Sequence, residues 1–199
     1  MYTPEQGGRL VRAARRCIEQ YVGNAGYIHG VEAELEGFGE RRGVFVTLED
    51  YPSHALRGCI GYPEAVGPMK KLVLDAAVCA AVEDPRFEPV TKAELGHIVI
   101  SVSVLSELER MRGGPNEIKK GVRIGRDGLV IRYRGNSGLL LPAVATEEGW
   151  DAAQFLQNVC HKAGLPSDAW THPDAVLYRF SAQVFKEKEP KGEIVETGQ

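Results

Sequence analysis

No stretch of this 199-residue chain is apolar for the ~20 residues that a membrane-spanning helix requires. Its first residues also lack the charged-then-apolar pattern of an export leader. The reading therefore expects a cytoplasmic protein with no membrane partner. Cysteine is sparse and scattered. Cys17, Cys59, Cys79 and Cys160 form no Cys-x-x-Cys pair, which points to free thiols rather than a disulfide scaffold. Even counting His54 and His161, no two of these ligand types have zinc-site spacing, so no metal is expected. Positive charge is not in surplus either. Lys and Arg number 24 against 27 Asp and Glu, which disfavours broad binding to a nucleic-acid backbone; a local basic pocket and an arginine-rich first helix remain. A phosphate-binding glycine loop, a dinucleotide fingerprint, a His-Glu-x-x-His helix and a Gly-x-Ser-x-Gly elbow are all absent. Nucleotide-driven and common hydrolase chemistries lose ground accordingly, and no cofactor is called for.

What remains is an ordinary globular composition, 43% apolar and 26% charged, long enough to build a core without staples. Thr3-Pro4-Glu5-Gln6 opens a helix as a capping box, and Leu10, Val11, Ala13, Ala14, Cys17 and Ile18 recur at helical spacing behind it. Residues 23–43 are glycine-rich and read as a loop with at most one short element. Two strands follow, at Val44–Leu48 and Leu56–Ile60, joined by a turn-like segment. Met69, Leu72, Val73, Ala76, Ala77 and Ala80 mark a small-residue helix that ends at Asp84-Pro85-Arg86-Phe87. A long strand at 98–105 has one apolar and one mixed face. Gly121–Gly125 and Leu129–Tyr133 flank Arg126-Asp127-Gly128 as a hairpin, and Asn136-Ser137-Gly138 reads as a further turn. Asp151 caps a helix through 163 that Gly164 stops, and alternation from Val176 to Val184 gives one last strand. Hairpins without regular strand–helix alternation predict an α+β fold with a mainly antiparallel sheet packed with helices.

The chemically pointed segment is Leu56-Arg57-Gly58-Cys59-Ile60-Gly61. Glycines on both sides of Cys59 let a ligand approach the backbone and offer amides to a developing anion. In a strand, Arg57 and Cys59 share a face, where a cation favours the nucleophilic thiolate. The bland alternative is that Cys59 is simply packed and the glycines serve close approach. Arg86 reads either as an anion contact or as a helix-end brace bonded to Asp84. Glu147, close to Trp150, is a candidate general base if burial raises its pKa. Cys160 and His161 point about 100° apart on a helix, so they do not form a dyad, although His161 remains a candidate base. Ser103, on the mixed strand face, is a candidate ligand contact.

These residues carry a resemblance. The Cys59 segment and Asp84-Pro85-Arg86-Phe87 resemble the AMMECR domain family, called protein A of the AmmeMemoRadiSam system in prokaryotes. Gly138-Leu139-Leu140-Leu141-Pro142, Gly149-Trp150-Asp151 and Cys160-His161-Lys162-Ala163-Gly164-Leu165-Pro166 continue the match in order. The resemblance implies an α+β fold with a larger and a smaller lobe around a cleft that the Cys59 motif approaches. It also implies an association with a Memo-type protein and a radical S-adenosylmethionine protein, and it brings no established reaction. The expectation is one AMMECR-like domain over residues 1–186, followed by a charged, mobile tail over 187–199. Whether the chain is an enzyme stays open. The first reading is a thiol-dependent enzyme or small-anion-handling domain with Cys59 as nucleophile, Arg57 or Arg86 on the anion, the Gly58–Gly61 amides as donors, and Glu147 or His161 as base. The second is a non-catalytic interaction or regulatory module, and nucleic-acid binding is the weaker third.

Overall fold

The computed structural model describes residues 1–24, 26–64 and 66–197. Among these, six helices and two antiparallel sheets of five and four strands make an α+β fold. The chain divides into two compact units, one of Met1–Leu105 with the segment from Gln183 onward, the other of Ser106–Ala182.

The first unit begins with α1 (Pro4–Gly23), which starts at the expected capping box: Thr3 Oγ1 accepts from the Gln6 amide, and Gln6 answers to the Thr3 amide. A single turn, α2 (Val31–Glu34), is the one helix in the glycine-rich stretch. Then come β1 (Val44–Asp50), β2 (Leu56–Tyr62), α3 (Met69–Val82) and β3 (Ile98–Leu105). The second unit holds β4 (Glu109–Arg110), α4 (Pro115–Gly121), β5 (Gly128–Tyr133), β6 (Asn136–Leu140), α5 (Pro142–Glu147), α6 (Ala152–Lys162) and β7 (Val176–Phe180). The chain then re-enters the first unit through β8 (Ala182–Glu187) and β9 (Ile194–Glu196).

In the first unit the strand order is β2-β1-β3-β8-β9, which leaves β2 at an edge. One face is covered by helices. Leu10, Val11, Cys17 and Ile18 of α1 and Met69, Val73, Ala76 and Ala77 of α3 join Val44, Val46, Leu48, Ile100 and Val102 in one buried cluster. Each buried Val, Leu, Ile or Met side chain among them contributes about 1.5–3 kcal/mol. Small residues let the layers approach: a Cβ on Gly7 would fall 2.1 Å from the Phe185 ring. The second unit has its own core, in which Leu129, Ile131 and Leu177 pack with Phe155, Leu156, Val159 and Cys160 of α6.

Four local expectations are corrected. The hairpin around Arg126-Asp127-Gly128 is not one: residues 115–121 are helical, and buried Asp127 instead accepts from the Arg123 amide at 2.9 Å and pairs with Arg126. The hairpin is β5–β6, whose register Tyr133↔Asn136 leaves Arg134-Gly135 as the turn, so Asn136-Ser137-Gly138 is strand. The single strand read over 176–184 is two strands in different sheets, parted at Ser181. Ser106 N donates to Ser181 O at 2.8 Å and Ser181 N donates to Ser106 Oγ at 3.0 Å. Finally, the segment from 187 is not a mobile tail as far as Thr197. Glu187 is buried, Ile194–Glu196 pairs with β8, and the Arg15 guanidinium pairs with the Glu187 carboxylate while donating to the carbonyls of Leu95 and Ile98.

Candidate functional site

β2 runs antiparallel to β1 with Leu48 opposite Gly58, Thr47 opposite Cys59 and Phe45 opposite Gly61. Side chains alternate between faces along a strand. A Cβ on Gly58 would lie 2.1 Å from the Ala80 carbonyl of α3, so position 58 faces the helices and Cys59 and Gly61 face the other way. Cys59 thus shares the sheet face opposite α1 and α3 with Thr47 and, across β1, with Ser101, which is buried, because Thr47 is paired to both. The Thr47 hydroxyl donates to Cys59 Sγ at 3.2 Å. One row along lie Gly61, Phe45 and Ser103, with the Phe45 ring over the glycine.

The backbone of Cys59 points outward from the sheet edge. Its N–H donates to Asp84 Oδ2 at 2.8 Å, and its C=O accepts from Arg86 Nη2 at 3.2 Å. Asp84 and Arg86 are locked to each other by two more bonds, Nε to Oδ1 at 2.9 Å and Nη2 to Oδ2 at 2.6 Å. In an antiparallel ladder adjacent residues send their polar groups to opposite sides. Gly58 and Ile60 therefore serve β1, while Cys59 and Gly61 serve the edge. The proline before Arg86 ends α3 and turns the chain back so that these two side chains reach β2.

Asp84 is only 2% exposed. Its carboxyl is held well below the usual carboxylate range, chiefly by the Arg86 bond, with the Cys59 and Arg86 amides working in the same direction against burial. Arg86 is correspondingly held charged by Asp84, with a smaller coulombic contribution from Cys59, and its side chain stays 52% exposed. Arg57 is more confined. It is 13% exposed, its Nε donates to Glu94 Oε1 at 2.8 Å, and Glu94 is drawn down to about 2, first by that bond. The Arg57 and Arg86 guanidiniums lie 5.9 and 5.4 Å from the Phe87 ring centre, so Phe87 spaces the two cations.

The other thiols sit differently. Cys17 and Cys160 are buried, with Sγ donating to the carbonyls of Leu74 at 3.5 Å and Leu156 at 3.1 Å. Burial pushes Cys17 up to about 11 and raises Cys160 as well. Cys79 is half-buried between Asp75 and Glu83 on α3, and burial, then the Glu83 bond, push it up to about 12. His54, five residues before Cys59, is an exposed turn residue at φ 56° that bonds Glu49 at 3.1 Å.

Of the residues singled out in the sequence, Arg57, Gly58, Cys59, Gly61 and Arg86 come together at one edge, and Ser103 lies on the same sheet face. Glu147, exposed at the end of α5, and His161, exposed on α6, belong to the second unit. Sequence reasoning missed Thr47 and Ser101, which depend on strand register; it read the bond between Arg86 and Asp84, which the structure contains, but not the bond from the Cys59 amide to the same carboxylate. No group of three or more His, Cys, Asp or Glu residues able to hold a metal occurs among the described residues. No described helix is long and apolar enough to cross a membrane.

Comparison with known proteins places this arrangement. The AMMECR1 family model matches residues 11–185. A protein of Thermococcus onnurineus is 48% identical over 193 residues, 96% of this chain and 94% of that one. Protein MJ0810 of Methanocaldococcus jannaschii is 46% identical over 197 residues, 98% of this chain and 97% of its own. The crystal structure of the uncharacterized protein PH0010 from Pyrococcus horikoshii superposes with a TM-score of 0.92 at 43% identity, covering 98% of each chain.

Proposed function

The chain belongs to the AMMECR1 family, and from that premise and the surroundings of Cys59 we propose that it is a thiol-dependent enzyme acting on a small anionic substrate. The observation that carries this reading is the contrast between thiols. Cys59 Sγ receives the Thr47 hydroxyl and lies in the field of Arg86, whereas Cys79 faces two carboxylates and Cys17 and Cys160 face carbonyls. A hydroxyl donor and a cation both favour an anionic sulfur, the form that attacks an electrophile.

In this reading Cys59 is the nucleophile and Thr47 steadies its sulfur. Arg86, half-exposed, contacts the carboxylate or phosphate of the substrate; Arg57 is engaged by Glu94 and sets the position of Phe87. Gly61, whose backbone polar groups face the edge, is the better amide donor, since Gly58 is turned toward β1. Ser101 and Ser103 extend a polar strip along the same face. The four thiols, none in a disulfide, suit a reducing compartment, and the cytoplasm is the location we assign. The family resemblance adds Memo-type and radical S-adenosylmethionine proteins as functional partners within this proposal.

A panel of small carboxylates and phosphate esters, followed by thermal shift and by intact-mass measurement, tests it. Binding to the native state raises the melting temperature by mass action. The expected result is a ligand whose stabilisation falls in Arg86→Ala and, for a phosphate ester, an S-phosphoryl adduct, formed as its alcohol leaves, that disappears in Cys59→Ser. A non-catalytic module is the competing reading, and the packing roles of Gly58, Gly61 and Asp84 favour it, because they account for the motif without chemistry. A ligand response indifferent to both substitutions would make it the better one.

A further inference from the structure

β2 is an edge strand that is closed at one point and open at another. At Cys59 the N–H donates to Asp84 Oδ2 at 2.8 Å, and the C=O accepts from Arg86 Nη2 at 3.2 Å. A strand added to this edge would offer Cys59 one acceptor and one donor, and the Asp84–Arg86 pair already supplies both. The pair fills the place of a single strand residue. Two residues on, roughly 7 Å along the strand, the N–H and C=O of Gly61 point to the same side. No described residue is bonded to them.

Charge marks the end of the open stretch. Arg86 spends Nε and Nη2 on Asp84 and on the Cys59 carbonyl, which leaves both Nη1 hydrogens without an acceptor among the described residues. The pair is neutral overall, but its members are not equally accessible. Arg86 is 52% exposed and Asp84 only 2%, so a ligand at this point meets the guanidinium rather than its counter-ion. Direction follows from two facts. Only an antiparallel neighbour lets one of its residues exchange both backbone bonds with Gly61. An antiparallel chain also runs from Tyr62 toward Cys59 and brings its C-terminus to Arg86, whereas a parallel one would bring an ammonium there, which the guanidinium repels.

We propose that the β2 edge binds the C-terminus of an extended peptide, whose penultimate residue exchanges both backbone hydrogen bonds with Gly61 and whose carboxylate takes the Nη1 hydrogens of Arg86. The inference rests on the reading of this edge as the functional site and narrows its small anion to a peptide carboxylate. Main-chain bonds at a sheet edge and capture of a terminal carboxylate are both established ways of holding a peptide. The terminal residue stands opposite Ile60, and its carboxylate arrives where a further residue would have met Cys59. That place is taken by the Arg86 fork, so the same geometry refuses the interior of a longer chain. The penultimate side chain lies on the Gly61 face, where the Phe45 ring covers the glycine, which suits a small one.

The test varies the ligand, so that the fold is left alone. The full chain is titrated with N-acetyl-Ala-Ala and followed by amide chemical shifts, which should centre on Cys59, Ile60 and Gly61. Replacing the carboxylate by a carboxamide should weaken binding about tenfold or more, the effect of losing a charge-assisted bond. N-methylation of the first alanine removes the donor to the Gly61 carbonyl and should weaken binding about fivefold. N-methylation of the second, whose N–H faces away from β2, should leave it unchanged. In Arg86→Gln the acid and the amide should bind alike, a ratio that a general loosening of the edge would not produce. Acid and amide binding alike in the wild type, or a reversed N-methyl pattern, would overturn the proposal. A Cys59 adduct with a phosphate ester but no response to N-acetyl-Ala-Ala would sink this inference and spare the thiol reading. The predicted peptide pattern with an inert Cys59 would sink the thiol reading and uphold this one.

Discussion

The Cys59 amide donates to the buried carboxylate of Asp84 at 2.8 Å, and the same carboxylate holds the guanidinium that caps the Cys59 carbonyl. Two side chains thereby do for one residue of an edge strand what a neighbouring strand would do for the whole of it. An open edge is a template for unwanted pairing, and closing it at its centre protects the strand. It also fixes the height and tilt of the peptide unit that carries the Cys59 side chain.

That pairing sets an acid limit. Asp84 has a folded-state pKa below its ordinary 3.8, and Glu94 lies at about 2 against an ordinary 4.5. A depressed carboxylate contributes stability that is present above its unfolded value and is lost as pH falls toward the folded one. Stability should therefore decline below about pH 4.5 as the unfolded chain takes up these protons first. Urea denaturation across the acid range should show a shallower decline for Asp84→Asn than for wild type. Equal slopes would mean that Asp84 is not held as described.

Reactivity should follow the surroundings of the four thiols. Cys17 is pushed up to about 11 by burial and Cys79 to about 12 by burial and Glu83, which suppresses the thiolate at neutral pH. Limited iodoacetamide labelling of the native protein should mark Cys59 first. Mass mapping that finds Cys79 or Cys160 labelled ahead of it removes the basis for a poised thiol.

Two glycine substitutions separate packing from propensity. Gly58→Ala drives a methyl against the Ala80 carbonyl, where the contact would be 2.1 Å, and should cost about 3 kcal/mol. Gly23→Ala, in the last turn of α1 with nothing within 4 Å, should be neutral or stabilising by about 0.5 kcal/mol. Chemical denaturation measures both. Equal stabilities would show that the close approach of β2 to α3 is not tight.

The buried ion pair gives the clearest test of the C-terminal segment. Glu187→Gln leaves Arg15 charged at a site where its other partners are two carbonyls, and should destabilise the protein by about 3 kcal/mol. A chain ended at Lys186 should lose at least as much, since β9 goes with it. A truncated chain that melts like the full one would restore the reading of this segment as a dispensable tail.

The local elements were legible wherever one periodicity and one cap sufficed. Thr3 and Asp151 announce α1 and α6, the alternation at 98–105 announces β3, and the Cys59 segment stands out by composition. All of these depend on residues within a turn or two of one another. The partners of Cys59 do not: Thr47 reaches it through strand register and Asp84 through the return of the chain after α3. Alternation also continues unbroken from Val176 to Val184, so the break at Ser181 is invisible locally; it is made where β7 and β8 pair with strands of different sheets. Glu187 reads as part of a charged tail because its charge is visible in the sequence, whereas the Arg15 guanidinium that compensates it lies 172 positions away. Sequence determined the helices and strands marked by one cap or one unbroken periodicity, such as α1, α6 and β3, and which cysteine deserved notice, because those are short-range preferences of backbone and side chain. Tertiary structure alone decided what each polar group faces, because a buried charge or an edge amide is satisfied by whatever the fold carries to it.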